Sequence, residues 1–323
     1  MNKKFENICK MSQIRLKKYV EMQLKITHND VTVGDGFVFA KGTIPVLLVA
    51  HMDTVHDLLP DLIVYDFEKD AISCAEGIGG DDRCGIYMIL EIVKNYNCSV
   101  LFCEDEENGG IGAKKFIQTD LAKELEFNYA IELDRKGSND AVFYDCDNEE
   151  FEEFITKDFY KTAYGSFSDI SVVAPFLKCA AVNLSCGYYN AHHTNEYVVL
   201  GEMERGIEEV CKILERTTED DKFEYIECEY QNYYGSYYGS YYKKSYYSES
   251  NYGSYNSYSS YDYGYNDDYY SYYYLIEYNN EKGKTDYFET YAVSEAEAVG
   301  RFLMWNPGLC YNCIIDVMVD RGN

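Results

Sequence analysis

Apolar and polar positions along residues 1–222 change period repeatedly, between blocks that suit strands and blocks that suit helices. Ile44-Pro45-Val46-Leu47-Leu48-Val49-Ala50 is a short, continuously apolar block, the mark of a buried strand. Arg83–Asn95 places Ile86, Ile89, Leu90 and Val93 at helical spacing. Ser99–Cys103 is strand-like, Gly110–Gln118 opens a helix, Asn128–Leu133 is a strand, and Val172–Leu184 contains another. Glu202–Arg216 closes the series as a helix with Ile207, Val210, Cys211 and Leu214 inward. Strands separated by helices predict an α/β fold, a mostly parallel sheet with helices on both faces. Ligands of such folds bind outside the carboxyl ends of the strands.

The pattern stops soon after residue 222. From Tyr230 to Tyr274, twenty of the forty-five residues are Tyr, and the rest are almost all Ser, Gly, Asn and Asp. No aliphatic side chain interrupts them, so no ordinary core can form, and residues 223–273 are expected to be a low-complexity linker. Beyond it the pattern predicts a small α+β module over 274–323. Tyr274–Tyr278 and Asp286–Val293 form strands around hairpin chemistry at Asn279–Lys284. Ser294 and Glu297 form a capping box ahead of Ala298, Val299, Phe302 and Leu303, and Cys313–Val319 is a last strand.

The chain has 323 residues and a formal net charge of −27, which disfavours nucleic acid and anionic membrane as partners. The residues after Met1 are mixed and charged, without the apolar core of a signal peptide, and no uncharged apolar run spans a bilayer. Most of the 12 cysteines sit singly in apolar stretches, among them Cys84, Cys98, Cys103, Cys179 and Cys211. That is how reduced thiols sit in a cytoplasmic protein, and the lone Cys310/Cys313 pair is read as ordinary packing.

Chemistry-bearing residues cluster in five places. His51 and Asp53 lie two apart at a strand end, where one face can hold both. There Asp53 can fix the tautomer of a metal-binding His51 imidazole. Asp81 and Asp82 lie in a glycine-rich turn, and one carboxylate with two oxygens can bridge two ions. Glu106 and Glu107 are adjacent, so beside a cation one can ligate while the other takes a proton. Asp134 closes a strand, and His192 offers a second imidazole. Two histidines and three carboxylates suit a pair of Zn²⁺ ions, with Mn²⁺ or Co²⁺ as substitutes. His28, in a polar turn, and His56, just past the first strand, are read as surface residues.

Together these stretches resemble the co-catalytic zinc exopeptidases and deacylases, and peptidase T-like enzymes most of all. The likeness rests on His51-Met52-Asp53-Thr54-Val55, Gly80-Asp81-Asp82-Arg83-Cys84-Gly85, Asp105-Glu106-Glu107-Asn108-Gly109, Ser168-Asp169, and Gly187 to Val198. The resemblance implies that Asp81 bridges two ions, that His51 and Asp134 complete one site, and that Glu107 and His192 complete the other. It makes Glu106 the general base and Asp53 the orienter of His51. His192 is preferred to His193 because it stands four residues before Glu196. The family also implies a cis peptide at Asp81–Asp82. Its lid and dimerisation domain has no room here, since only 33 residues separate Asp134 from Ser168. Arg83, Arg135, Lys136 and His193 are the candidates to replace the anchoring groups of that lid.

The expected function is a metal-dependent hydrolase of small peptides, an aminopeptidase or a di- or tripeptidase, with the oligomeric state left open. Two rivals stand beside it. One is an amidase or deacylase using the same ions on another amide. The other is a metal-binding scaffold that has lost turnover, against which the base at Glu106 argues.

Overall fold

The computed structural model describes residues 3–228, 272–280, 284–292, 299, 302, 309 and 313–320. Two compact units divide the chain, residues 1–228 and 229–323.

In the first unit, α1 (Lys3–Cys9) and α2 (Gln13–Thr27) precede β1 (Asp30–Gly34), β2 (Phe37–Lys41) and β3 (Ile44–His51). The short strands β4 (Val64–Asp66) and β5 (Ala71–Ser73) lead to α3 (Gly80–Ile92) and β6 (Cys98–Cys103). Next come α4 (Ile111–Ile117), α5 (Asp120–Lys123), β7 (Tyr129–Arg135), β8 (Asp140–Val142), α6 (Glu149–Thr156) and β9 (Lys161–Ala163). The unit continues through α7 (Ile170–Leu177), β10 (Ala181–Ser185), β11 (Tyr188–Tyr189), β12 (Tyr197–Val199) and α8 (Leu200–Arg216).

Eight strands form one sheet in the order β1-β2-β6-β3-β7-β10-β8-β9. Its centre, β6-β3-β7-β10, is parallel, and antiparallel pairs flank it. The period-two rule sorts the central side chains cleanly. Val46, Leu48 and Ala50 of β3, Val100 and Phe102 of β6, and Ile131 and Leu133 of β7 join the core beneath α1, α2, α3, α6 and α8. Leu47, Val49, Leu101, Cys103 and Ala130 face the opposite core, under α4, α5 and α7. An α/β sheet covered on both faces is therefore the observed architecture. A continuous apolar strand is what double burial requires, since either face left wet would cost about 25 cal/mol per Å² of apolar surface.

Several elements depart from the sequence expectation. The stretch from Val172 to Leu184 does hold a strand, β10, but α7 precedes it. From Val172 to Leu177 the run is apolar throughout, so it carries no helical period to read. A second sheet, β11-β12-β5-β4, was not foreseen, because its strands have only two or three residues. The first unit also continues past residue 222. Phe223 N donates to Asn128 O at 2.9 Å, Ala180 N to Phe223 O at 2.8 Å, and Asp147 N to Ile226 O at 2.7 Å. The Phe223 ring lies 5.2 Å from those of Phe151 and Phe154.

Among the described residues the second unit is a three-stranded antiparallel sheet, β14-β13-β15, of β13 (Tyr272–Asn279), β14 (Thr285–Ala292) and β15 (Ile314–Asp320). Phe302, fully buried, packs its ring against Tyr278 and Phe288. The Ser294/Glu297 cap, Cys310 and residues 229–271 of the Tyr-rich stretch lie outside the described residues.

Candidate metal centre

Four parallel strands end at one rim of the sheet, and the acid- and histidine-bearing segments gather there. His51 is the last residue of β3. Its Nδ1–H donates to Asp53 Oδ1 at 3.1 Å, leaving Nε2 free to face the cluster. Asp53 in turn accepts the backbone N–H groups of Glu106, at 3.0 Å, and Glu107, at 3.1 Å. One carboxylate thus fixes both the His51 tautomer and the loop after β6.

Asp81 sits where the chain enters α3, in non-helical backbone, and the Asp81–Asp82 peptide is cis, as the resemblance implied. The turn needs glycine at Gly79, which adopts φ +65°. Gly85 lets the helix close on β7, because a Cβ there would stand 1.8 Å from Leu133 O. Asp82 faces inward, accepting His51 N at 3.2 Å and Gly85 N at 2.8 Å.

Asp134 is held on every side. Ser168 Oγ–H donates to its Oδ2 at 3.1 Å, Tyr188 OH to its carbonyl at 3.0 Å, and its own N–H to Asn183 Oδ1 at 2.9 Å. His192 arrives on the loop between β11 and β12, with φ +65° and its side chain 47% exposed.

The structure brings these side chains to one place. His51 Nε2 is 3.1 Å from Asp81 Oδ1 and 3.4 Å from Asp134 Oδ1. His192 Nε2 is 3.2 Å from both Asp81 Oδ2 and Glu107 Oε1. Two overlapping donor groups result, His51–Asp81–Asp134 and Asp81–Glu107–His192, each within 4.8 Å and sharing Asp81. His51, Glu106 and Glu107 form a third grouping within the same limit.

This donor set fits metal ions. Ligands about 2.0–2.2 Å from one tetrahedral zinc stand roughly 3.3 Å apart, the spacing found here. Glu107 Oε1 is buried without hydrogen-bond geometry to any described group, although the His192 imidazole is near. The electrostatics agree. Burial raises the Glu106 pKa well above the ordinary value, with Asp134, Asp169 and Glu107 adding repulsion against partial relief from His51. Burial and the Asp81 carboxylate push Asp134 up to about 6. Burial works against charging His192, yet Asp81 and Glu107 lift it to about 11. Carboxylates crowded in this way are relieved by a divalent cation among them.

Of the expected anchoring groups, Arg83 and Arg135 are engaged with other partners. Arg83 is 1% exposed, with its guanidinium donating to Met52 O at 2.5 Å and Met11 O at 3.2 Å. It braces the backbone beside His51. Arg135 reaches Asp140, Lys136 is half-buried, and His193 is exposed with Nδ1 2.8 Å from Ala191 O. Two histidines read as surface residues are inside. His28 is buried, with Nε2 2.8 Å from Cys98 O. His56 has a side chain only 6% exposed, with Nε2 2.9 Å from Glu196 Oε2. Behind the donor groups, Glu132 and Asp169 are fully buried, and both are raised by burial first, Asp169 to about 7. Among the strands' apolar residues, the polar Glu132 and Asn183 were the available sign of this second layer.

No family model and no curated protein matches the sequence. Solved structures do. The chain is similar to the aminopeptidase PepT of Bacillus cereus at 15% identity, covering 66% of this chain and 96% of that one, with TM-score 0.53. A tripeptidase of Staphylococcus aureus gives 13% identity, 65% and 95% coverage, and TM-score 0.52. An aminopeptidase of the archaeon Desulfurococcus kamchatkensis gives 13% identity, 66% and 94% coverage, and TM-score 0.52. About two thirds of the chain therefore shares its fold with these three structures. No helix among the described residues is long and apolar enough to cross a membrane.

Proposed function

We propose that the protein is a metal-dependent peptidase with a dinuclear centre, acting on short peptides as an aminopeptidase or a di- or tripeptidase. The observation that carries this reading is the pair of donor groups joined through Asp81. His51 and Asp134 would hold one ion with Asp81, and Glu107 and His192 the other. Zn²⁺ suits the donors, and Mn²⁺ or Co²⁺ can replace it. Two such ions supply Lewis acidity, polarising the scissile carbonyl and acidifying water.

The remaining work falls to side chains. Glu106 is poised as the general base. Its N–H is tied to Asp53, which places its carboxylate beside His51 and Glu107. Burial makes its carboxylate more basic than an exposed one, which suits a group that takes a proton from water and returns it to the leaving amine. Asp53 holds His51 in the tautomer that presents Nε2.

The test pairs metal analysis with digestion of a peptide library and a panel of non-peptide amides. Two ions per chain, with chelator-sensitive release of N-terminal residues, is the expected result. Hydrolysis confined to other amides would make the protein a deacylase. Tight zinc with no turnover would make it a scaffold, and activity indifferent to chelation would reject the mechanism.

A further inference from the structure

Glu196 and His56 touch none of the proposed ligand atoms, yet they join three of the segments that carry them. Glu196 is completely buried. Its Oε2 accepts the Gly79 N–H at 2.7 Å, and its Oε1 accepts the Asp81 N–H at 2.9 Å. These bonds grip the turn that carries the shared carboxylate on both sides of Gly80. His56 Nε2, 2.9 Å from the same Oε2, comes from the segment that begins with His51 and Asp53. Its ring lies over Gly77, where a Cβ would meet it at 2.2 Å. Glu196 itself stands four residues after His192 and one before β12, which pairs with β5.

One buried carboxylate therefore connects the His51 segment, the Asp81 turn and the His192 loop. The three are 140, 115 and 4 residues from it in sequence. The two flanks depend on it unequally. His51 and Asp134 are also fixed by strands and by Asp53, Asp82, Ser168, Asn183 and Tyr188. His192 is half exposed and has positive φ, so its loop rests on far less.

We infer that Glu196, completed by His56, is a positioning residue for the metal centre, and that it chiefly secures the half formed by Asp81, Glu107 and His192. This rests on the dinuclear reading above. The charged acceptor matters as well as the shape, because hydrogen bonds to a buried carboxylate are about twice as strong as neutral ones.

The test is zinc titration of the full chain by calorimetry, against a competing chelator, for wild type, Glu196→Gln and His56→Gln. Thermal unfolding is followed without metal in each. Wild type should bind two ions. Glu196→Gln should weaken the looser ion by about tenfold or more, the usual cost of losing a ligand's supporting partner, while the tighter ion changes much less. Its kcat should fall more than its KM changes. His56→Gln, which removes one bond at the rim and leaves both backbone bonds to Glu196, should give a smaller loss of the same pattern with little change in melting temperature. Equal weakening of both ions, or two unchanged affinities in His56→Gln and Glu196→Gln alike, would overturn the inference. A wild type that binds fewer than two ions would instead remove the dinuclear reading on which it stands. Should Glu196→Gln fail to fold, His56→Gln decides alone.

Discussion

The two flanks of the centre are built differently. On one side, His51 ends a central strand with its side chain 1% exposed, and Asp134 is the penultimate residue of the neighbouring strand, held by three hydrogen bonds. On the other, Glu107 and His192 ride on loops, and His192 is nearly half exposed. The loop-borne side also holds the strained backbone, with positive φ at Asp105, Asn190 and His192. Such residues cost about 1–3 kcal/mol each and persist where the surroundings hold them. A sheet can fix such side chains only where strands end, so a second ion would have to be reached by loops. Those loops need supports of their own.

Breaking both flanks at once should have the largest effect. Asp81→Ala removes the ligand common to the two donor groups. Metal content should fall below one ion per chain, and peptide hydrolysis should vanish, as measured by elemental analysis beside a dipeptide assay. Glu106→Gln separates chemistry from binding. It should keep two ions and lose about 100- to 10,000-fold in kcat. Near-normal turnover in that variant would strip Glu106 of its role.

The asymmetry itself is sharpened by comparing the two histidines in metal-free protein. His51→Ala leaves Asp53, Asp81 and Asp134 around a buried gap, and should cost about 3–5 kcal/mol in urea unfolding. His192→Ala, at a half-exposed pair, should cost under about 1 kcal/mol while still losing one ion. Equal costs would erase the distinction.

A further expected effect is electrostatic and lies behind Asp134, at the residue that precedes α7. Asp169 is fully buried, and burial raises its pKa from an ordinary carboxylate value to about 7. A carboxyl raised on folding favours the native state only while protonated. Its contribution is complete below about pH 4 and is lost as pH rises towards 7. Asp169→Asn should therefore be more stable than wild type above pH 7, by on the order of 4 kcal/mol, with the gap closing below pH 4. Chemical denaturation across that range checks it, and a pH-independent difference would contradict it.

The strand-borne flank was also the more legible in the sequence. An apolar run followed by His-x-Asp announces a buried strand and what stands at its end. The candidate ligands on loops could be placed only through their order along the chain. His56 was invisible as anything but surface, because its partner lies 140 residues away. Arg83 drew attention as a cation near acids, but only the fold shows that two backbone carbonyls occupy it. The short strands β4, β5, β11 and β12 left no pattern long enough to read. Glu132 and Asn183 did break their strands' apolar runs, and they mark the acid layer behind Asp134.

The backbone pairing of residues 223–228 with the first unit sets where this protein can be cut. Cleavage after Cys228 leaves those bonds and the Phe223 ring in place, so the severed N-terminal piece should stay folded and titrate zinc unaided. Cleavage six residues earlier strips the cover from Tyr129, Phe151 and Phe154, and that shorter piece should precipitate or fall prey to proteases. The N-terminal unit would thus be portable, provided this last ribbon of chain travels with it.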